Sequence, residues 1–156
     1  IHIFDAGILS VNINELSNIN ISFNFIELIK IFIICLSPIM GISNIMLANN
    51  ICDIDEDIEN KRYTLPIYIG KENALRVFKW LYYIGFISIF IGILIRALPV
   101  VSIVTLLVLK VVQGNINKFN KLQTKKDTFI LAVKNFVITN LVYVITILCG
   151  LILDLY

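Results

Sequence analysis

Four apolar stretches separated by charged loops decide what this chain can fold into. The first is "LIKIFIICLSPIMGISNIMLA" at residues 28–48, and the second is "VFKWLYYIGFISIFIGILIRA" at residues 77–97. A shorter third begins at Pro99 with "PVVSIVTLLVLKVV", and the fourth is "TFILAVKNFVITNLVYVITILCGLIL" at residues 128–153. About twenty helical residues rising 1.5 Å each cross a hydrocarbon core of about 30 Å. Hydrophobic residues make up 58% of the 156 residues and charged ones 15%, well below the roughly 25% charge of a soluble domain. The expected fold is therefore all-α, a multi-span transmembrane helical bundle of about four spans, with the lipid bilayer as its first partner.

The third stretch has only about fourteen residues before Gly114 and asks for local thinning of the bilayer or snorkelling of Lys110. Pro38 and Gly41 suggest a kink within the first span. Residues 1–27 carry Asp5, Glu15 and Glu27 but no Lys or Arg. The alternation in "NISFNF" is weakly strand-like. We read 1–27 as an interfacial segment outside the cytoplasm, a short helix plus loop on the membrane, and 28–156 as the helical domain.

Charge placement gives orientation. Lys61, Arg62, Lys71 and Arg76 lie between the first and second spans, and Lys118, Lys121, Lys125 and Lys126 between the third and fourth. The other side has Arg96 alone, at the end of the second span. The excess of Lys and Arg in alternate loops puts both basic loops in the cytoplasm and both ends of the chain outside. A multi-pass protein of a bacterial inner or plasma membrane follows as the expected location. The single histidine, His2, leaves no His-based triad or metal cluster. Cys35, Cys52 and Cys149 show no paired spacing and read as incidental thiols.

The loop after the first span is the chemical centre of the sequence: "NNICDIDEDIENKRYTLPIYIG", residues 49–70. Its acids are Asp53, Asp55, Glu56, Asp57 and Glu59. On a helix Asp53 and Asp57 stack one turn apart, and the other three fall on other faces. Two stacked carboxylates repel unless a cation lies between them. Mg²⁺ takes one or two carboxylates and fills its remaining positions with water and phosphate oxygens. Lys61 and Arg62 follow closely and suit a diphosphate. Asn49 and Asn50 can bond a ligand carboxylate or a phosphate oxygen. A Ca²⁺ loop of EF-hand type fails, because Ile58 stands where its glycine belongs and Thr64 where its glutamate belongs. The bland alternative is a solvated acidic loop.

The order N-N-x-x-D-x-x-x-D-x-x-x-x-K-R-x-T-L-P-x-x-I-G after an apolar helix resembles the second aspartate-rich motif of the UbiA family of intramembrane prenyltransferases. The similarity is greatest to its 1,4-dihydroxy-2-naphthoate prenyltransferase branch. "GKENALRVFKWLYYIG" is similar to that family's entry into its next helix, so the resemblance covers most of residues 28–97. It implies Mg²⁺ held by Asp53 and Asp57, with Asn50, Lys61 and Arg62 near the diphosphate. It further implies transfer of a polyprenyl group from polyprenyl diphosphate to an aromatic acceptor such as 1,4-dihydroxy-2-naphthoate, in menaquinone-type biosynthesis. A benzoate, homogentisate or haem-type ring stays open as acceptor, and no nucleic-acid partner is expected.

Two positions depart from the family pattern. Cys52 stands where Arg is frequent, and Asn60, which tolerates the left-handed conformation, stands where Gly is usual. The resemblance also implies about nine spans and a first aspartate-rich motif, neither found in this sequence. We therefore expect the C-terminal part of such an enzyme, incomplete by itself. The alternative is a truncated membrane module or partner subunit without transferase activity. A carrier fits less well, because the polar residues gather at the rim. Among the remaining polar residues, Lys134 and Asn135 suit a headgroup or snorkelling, and Asn140 an interhelical bond. Trp80, Tyr82 and Tyr83 suit the interface, as do Tyr63 and Tyr68.

Overall fold

Apolar length sets the helices and buried polar contacts set how they meet. A computed structural model of the chain describes residues 9–14 and 18–153, with side chains from Asn24 onward. Asn24 opens helix α1 (Phe25–Cys52) by accepting the N–H groups of Ile26 and Glu27 on its side-chain oxygen, a normal N-cap. Two short helices follow, α2 (Ile54–Glu59) and α3 (Leu65–Ile69), and then the long α4 (Lys71–Leu94). The next span begins as a 3₁₀ segment (Val100–Val108) and continues as α5 (Leu109–Lys121). Helix α6 (Phe129–Ile152) closes the bundle.

Four helical stretches are long and apolar enough to cross a membrane: Phe25–Cys52, Lys71–Leu94, Val100–Lys121 and Phe129–Ile152. They close into a ring. Helix α1 packs on α4 and α6, and the 3₁₀ segment packs on those same two helices from the opposite side. Leu47, Ala48, Ile51, Phe78, Phe86, Ile89 and Val112 fill the interior. Outward faces carry Phe32, Ile87, Leu94, Leu107, Val137 and Leu148, all exposed, which is the surface that lipid covers and water does not. The chain is a multi-pass membrane protein.

The third span corrects the sequence reading. It does not stop at Gly114 but runs to Lys121. A 3₁₀ segment rises about 2 Å per residue, so the whole helical stretch reaches roughly 37 Å. Val112, Ile116 and Phe119 are buried at helical spacing along α5, while Gly114 faces open space. Asn117, Lys118, Asn120 and Lys121, which read as a loop, are the exposed outer face of an amphipathic helix.

The segment before α1 also differs. Strands β1 (Leu9–Asn14) and β2 (Asn18–Phe23) pair antiparallel, where a short helix was expected. The register sets Leu9 opposite Phe23, Val11 opposite Ile21 and Ile13 opposite Ile19, with serines and asparagines facing each other between. Period-two alternation runs through both strands, and it outweighs any helical spacing. Residues 1–8 and 15–17 of the expected interfacial segment lie outside the described residues.

Polar contacts fix helices to one another. Pro38 lies inside α1 and has no N–H for the carbonyl of Ile34, four residues back. The Tyr143 hydroxyl of α6 donates to that carbonyl at 3.0 Å. Thr105 and Thr146 hydrogen-bond at 3.1 Å between the third span and α6. Tyr83 donates to Gln113 at 2.5 Å, joining α4 to α5. At Gly150 the start of the third span comes so close that an added Cβ would collide with the Pro99 ring. Asn140 does not reach another helix as expected; it donates to the Phe136 carbonyl of its own helix at 2.8 Å.

Candidate functional site

Helix α1 ends at Asp53, whose backbone N–H donates to the Asn49 carbonyl at 3.1 Å. Asp53 leaves helical geometry, with φ −101° and ψ 7°, yet the Asp57 N–H still donates to its carbonyl at 2.7 Å. The i to i+4 relation survives the break, so Asp53 and Asp57 keep the one-turn spacing read from the sequence. Burial then separates the five acids. Asp53 is 9% and Asp57 6% exposed, whereas Asp55, Glu56 and Glu59 are exposed. A solvated acidic loop would expose all five. Two carboxylates turned toward the protein need partners, because burying an unpaired charge costs several kcal/mol.

Those partners come from three elements. Asn49 donates its amide to Asp53 Oδ2 at 3.0 Å, as its position one turn before Asp53 allows. The Thr64 hydroxyl donates to Asp57 Oδ2 at 3.1 Å. Lys125, from the loop between α5 and α6, places Nζ 2.7 Å from Asp53 Oδ2. All three contacts use Oδ2. Oδ1 of each carboxylate takes no hydrogen bond from a described residue.

The chain reaches Thr64 through a tight helix stop. Arg62 N–H donates to the Asp57 carbonyl at 2.7 Å and Lys61 N–H to the Ile58 carbonyl at 3.1 Å. This is the Schellman pattern, with Lys61 as the left-handed residue at φ 55°. The sequence suggested Asn60 for that role, but Asn60 has φ −84° and its amide instead bonds the Glu56 carbonyl at 2.9 Å. With its hydroxyl committed to Asp57, Thr64 does not cap α3. Gly70, at φ 80° and ψ 151°, then turns α3 into α4, a backbone state open essentially to glycine alone. Replacing Lys61 with glycine removes the left-handed strain and should raise stability by about 0.5–1 kcal/mol net of glycine's entropy cost. A lowered unfolding midpoint in that variant would show that the Lys61 side chain carries packing that outweighs the strain.

Lys61 and Arg62 are exposed and form no ion pair with a described residue. Asn50 is half-buried and takes no part in the contacts of Asp53. The cation on the acidic pair is thus Lys125, which local sequence does not single out. Its loop is held by reciprocal bonds. Thr124 N–H donates to Thr128 Oγ1 at 2.9 Å, and Asp127 N–H to Thr124 Oγ1 at 3.2 Å. The Gln123 amide donates to the Phe119 and Asn120 carbonyls, at 2.6 and 2.9 Å, at the end of α5. The two basic loops therefore meet at one end of the bundle, as the alternation of cations implied.

The hydrogen bond to Asp53 raises the pKa of Lys125 above the ordinary lysine value, with Asp53, Glu56 and Asp57 adding through their charges. A raised lysine pKa means a contribution fully present below the ordinary value and lost as pH climbs through the raised one. The contact therefore holds across the neutral range.

Below this rim, α1, α4 and α6 enclose a small polar space. Ser37, Gly41, Tyr82, Asn135, Thr139 and Asn140 line it, and its ≈10 Å³ leaves room for about one water at most. The Tyr82 hydroxyl, the Asn135 amide nitrogen and Thr139 Oγ1 are buried there without a hydrogen-bond partner among the described residues. Asn135 accepts from Asn115 at 2.7 Å, so it faces inward while Lys134 is exposed on the outer surface. Tyr82 is buried and is not an interfacial aromatic; Trp80, Tyr63 and Tyr68 are exposed, as such a role requires.

Among the described residues no three His, Cys, Asp or Glu side chains gather as a metal cluster. Cys35, Cys52 and Cys149 are free thiols. The donor set still suits a hard cation of the Mg²⁺ kind, which needs only one or two carboxylates from protein. The Lys125 ammonium on Asp53 is a stand-in positive charge at that position. Comparison with family models, curated proteins and solved structures finds no match in any of the three.

Proposed function

We propose that this chain is part of a Mg²⁺-dependent intramembrane prenyltransferase of the UbiA kind, acting on a polyprenyl diphosphate and an aromatic quinone precursor such as 1,4-dihydroxy-2-naphthoate. The observation that carries this reading is the selective burial of Asp53 and Asp57, out of five neighbouring acids, at the end of a spanning helix. Asp53 and Asp57 hold the metal. When bound, the metal supplies positive charge to the diphosphate as it departs. Asn49 and Thr64 aim the two carboxylates through their Oδ2 atoms. Lys61 and Arg62, exposed beside them, take further charge on the diphosphate.

The allylic C–O bond breaks with its electron pair leaving on the diphosphate. The allylic carbon then bonds to a ring carbon of the acceptor, and the ring proton leaves to solvent. The apolar outer faces of the spanning helices accept the prenyl tail. The cation-rich end faces the cytoplasm of a bacterial cell, where diphosphates and Mg²⁺ occur. Lys125 supplies a cation at the acidic pair, offsetting Cys52 at a position where the resembling family often carries Arg.

Two carboxylates leave most of the coordination to water and phosphate, so further acids on another stretch of polypeptide belong to this reading. The same shortage favours a second reading, a module without activity of its own. Membranes containing this chain together with the polypeptide that carries those further acids, given polyprenyl diphosphate, dihydroxynaphthoate and Mg²⁺, separate the two. Prenylated product that disappears with chelator supports the enzyme, and no product under any metal condition supports the module.

A further inference from the structure

Lys125 stands at the acidic site although nothing in the motif around Asp53 announces it. Its Nζ is 2.7 Å from Asp53 Oδ2, an oxygen already bonded to Asn49. Glu56 and Asp57 act on it as well. Its own side chain remains 54% exposed, so it can leave without unpacking the core. Its loop, by contrast, is tied at both ends through Thr124, Thr128 and Gln123. Any movement is therefore confined to the side chain.

A divalent ion competes directly with this ammonium for Asp53, because both seek the same carboxylate and their charges repel. We propose that Lys125 is a two-position cation: it neutralises Asp53 while the site is without metal, and it moves to the diphosphate when a divalent ion takes the carboxylate. This rests on the metal-site reading above and adds a residue to it. The consequence has two opposite signs. Removing the ammonium frees Asp53 and strengthens metal binding, but it deprives the diphosphate of a charge-assisted hydrogen bond and weakens anion binding.

The test uses the whole protein in lipid nanodiscs, with Mn²⁺ binding followed by electron paramagnetic resonance and inorganic diphosphate as the anion. Lys125→Gln should bind Mn²⁺ alone about two- to five-fold more tightly, the range an exposed ion pair allows. With Mn²⁺ present it should bind diphosphate about ten-fold more weakly, and Lys125→Arg should restore most of that loss. Unchanged or weaker Mn²⁺ binding in Lys125→Gln, with binding still lost in Asp53→Asn, overturns the role of Lys125 alone. Mn²⁺ binding indifferent to Asp53→Asn overturns the metal site, and the role of Lys125 with it.

Discussion

On the proposed function, Asp53→Asn or Asp57→Asn should reduce prenyl transfer by at least about 10²–10³-fold, the loss expected when a charge-stabilising group is removed from a reacting site. Asparagine keeps the size of aspartate and can keep an oxygen toward Asn49 or Thr64, so the helix ends should stay in place. What it removes is the negative charge that a metal requires. Asp55→Asn and Glu59→Gln are the matched controls. Both acids are exposed on the same short helix, and their loss should leave turnover within about two-fold. Product formation by chromatography, normalised to protein in the membrane, reads the result. Equal losses at Asp53 and Asp55 would point to net loop charge as the active quantity, without a built pair.

Tyr143→Phe destabilises the bundle by about 1–3 kcal/mol, the cost of leaving a buried carbonyl unpaired. The reason lies in Pro38, which cannot donate to Ile34, and in the Tyr143 hydroxyl, which does so from α6. Lipid offers that carbonyl no other donor. Pro38→Ala supplies the missing N–H. In that background Tyr143→Phe should cost close to nothing, and a double-mutant cycle on unfolding midpoints in mixed micelles isolates the coupling. Additive effects would mean that Tyr143 acts through packing alone.

The limits of sequence reading are visible in these same residues. Span number was legible because apolar length is a local property. The third span was cut short because Gly114, Asn115 and Asn117 read as a loop, and only the burial of Val112, Ile116 and Phe119 shows a helix facing a core. The stacking of Asp53 and Asp57 was legible from four-residue spacing, whereas Asn49 and Asn50 read alike and only the fold sets Asn49 on Asp53. Lys125 was not: the pattern of cations placed its loop at the correct end of the bundle, but only the fold selects one lysine of that loop. The Tyr143 bond to Ile34 had no signal beyond a proline awaiting a donor. The inward turn of Tyr82 had none, since a tyrosine at the start of a span suits interface and core equally. Lys61 took the left-handed position because the Schellman stop falls one residue later than the motif suggested.

Binding of a labelled polyprenyl diphosphate to the protein in nanodiscs, with and without Mg²⁺, is the most direct measurement. Saturable binding that requires Mg²⁺ and is lost in both Asp53→Asn and Asp57→Asn is the expected result. Binding of equal strength in chelator, or in the two variants, would contradict a metal held by these aspartates.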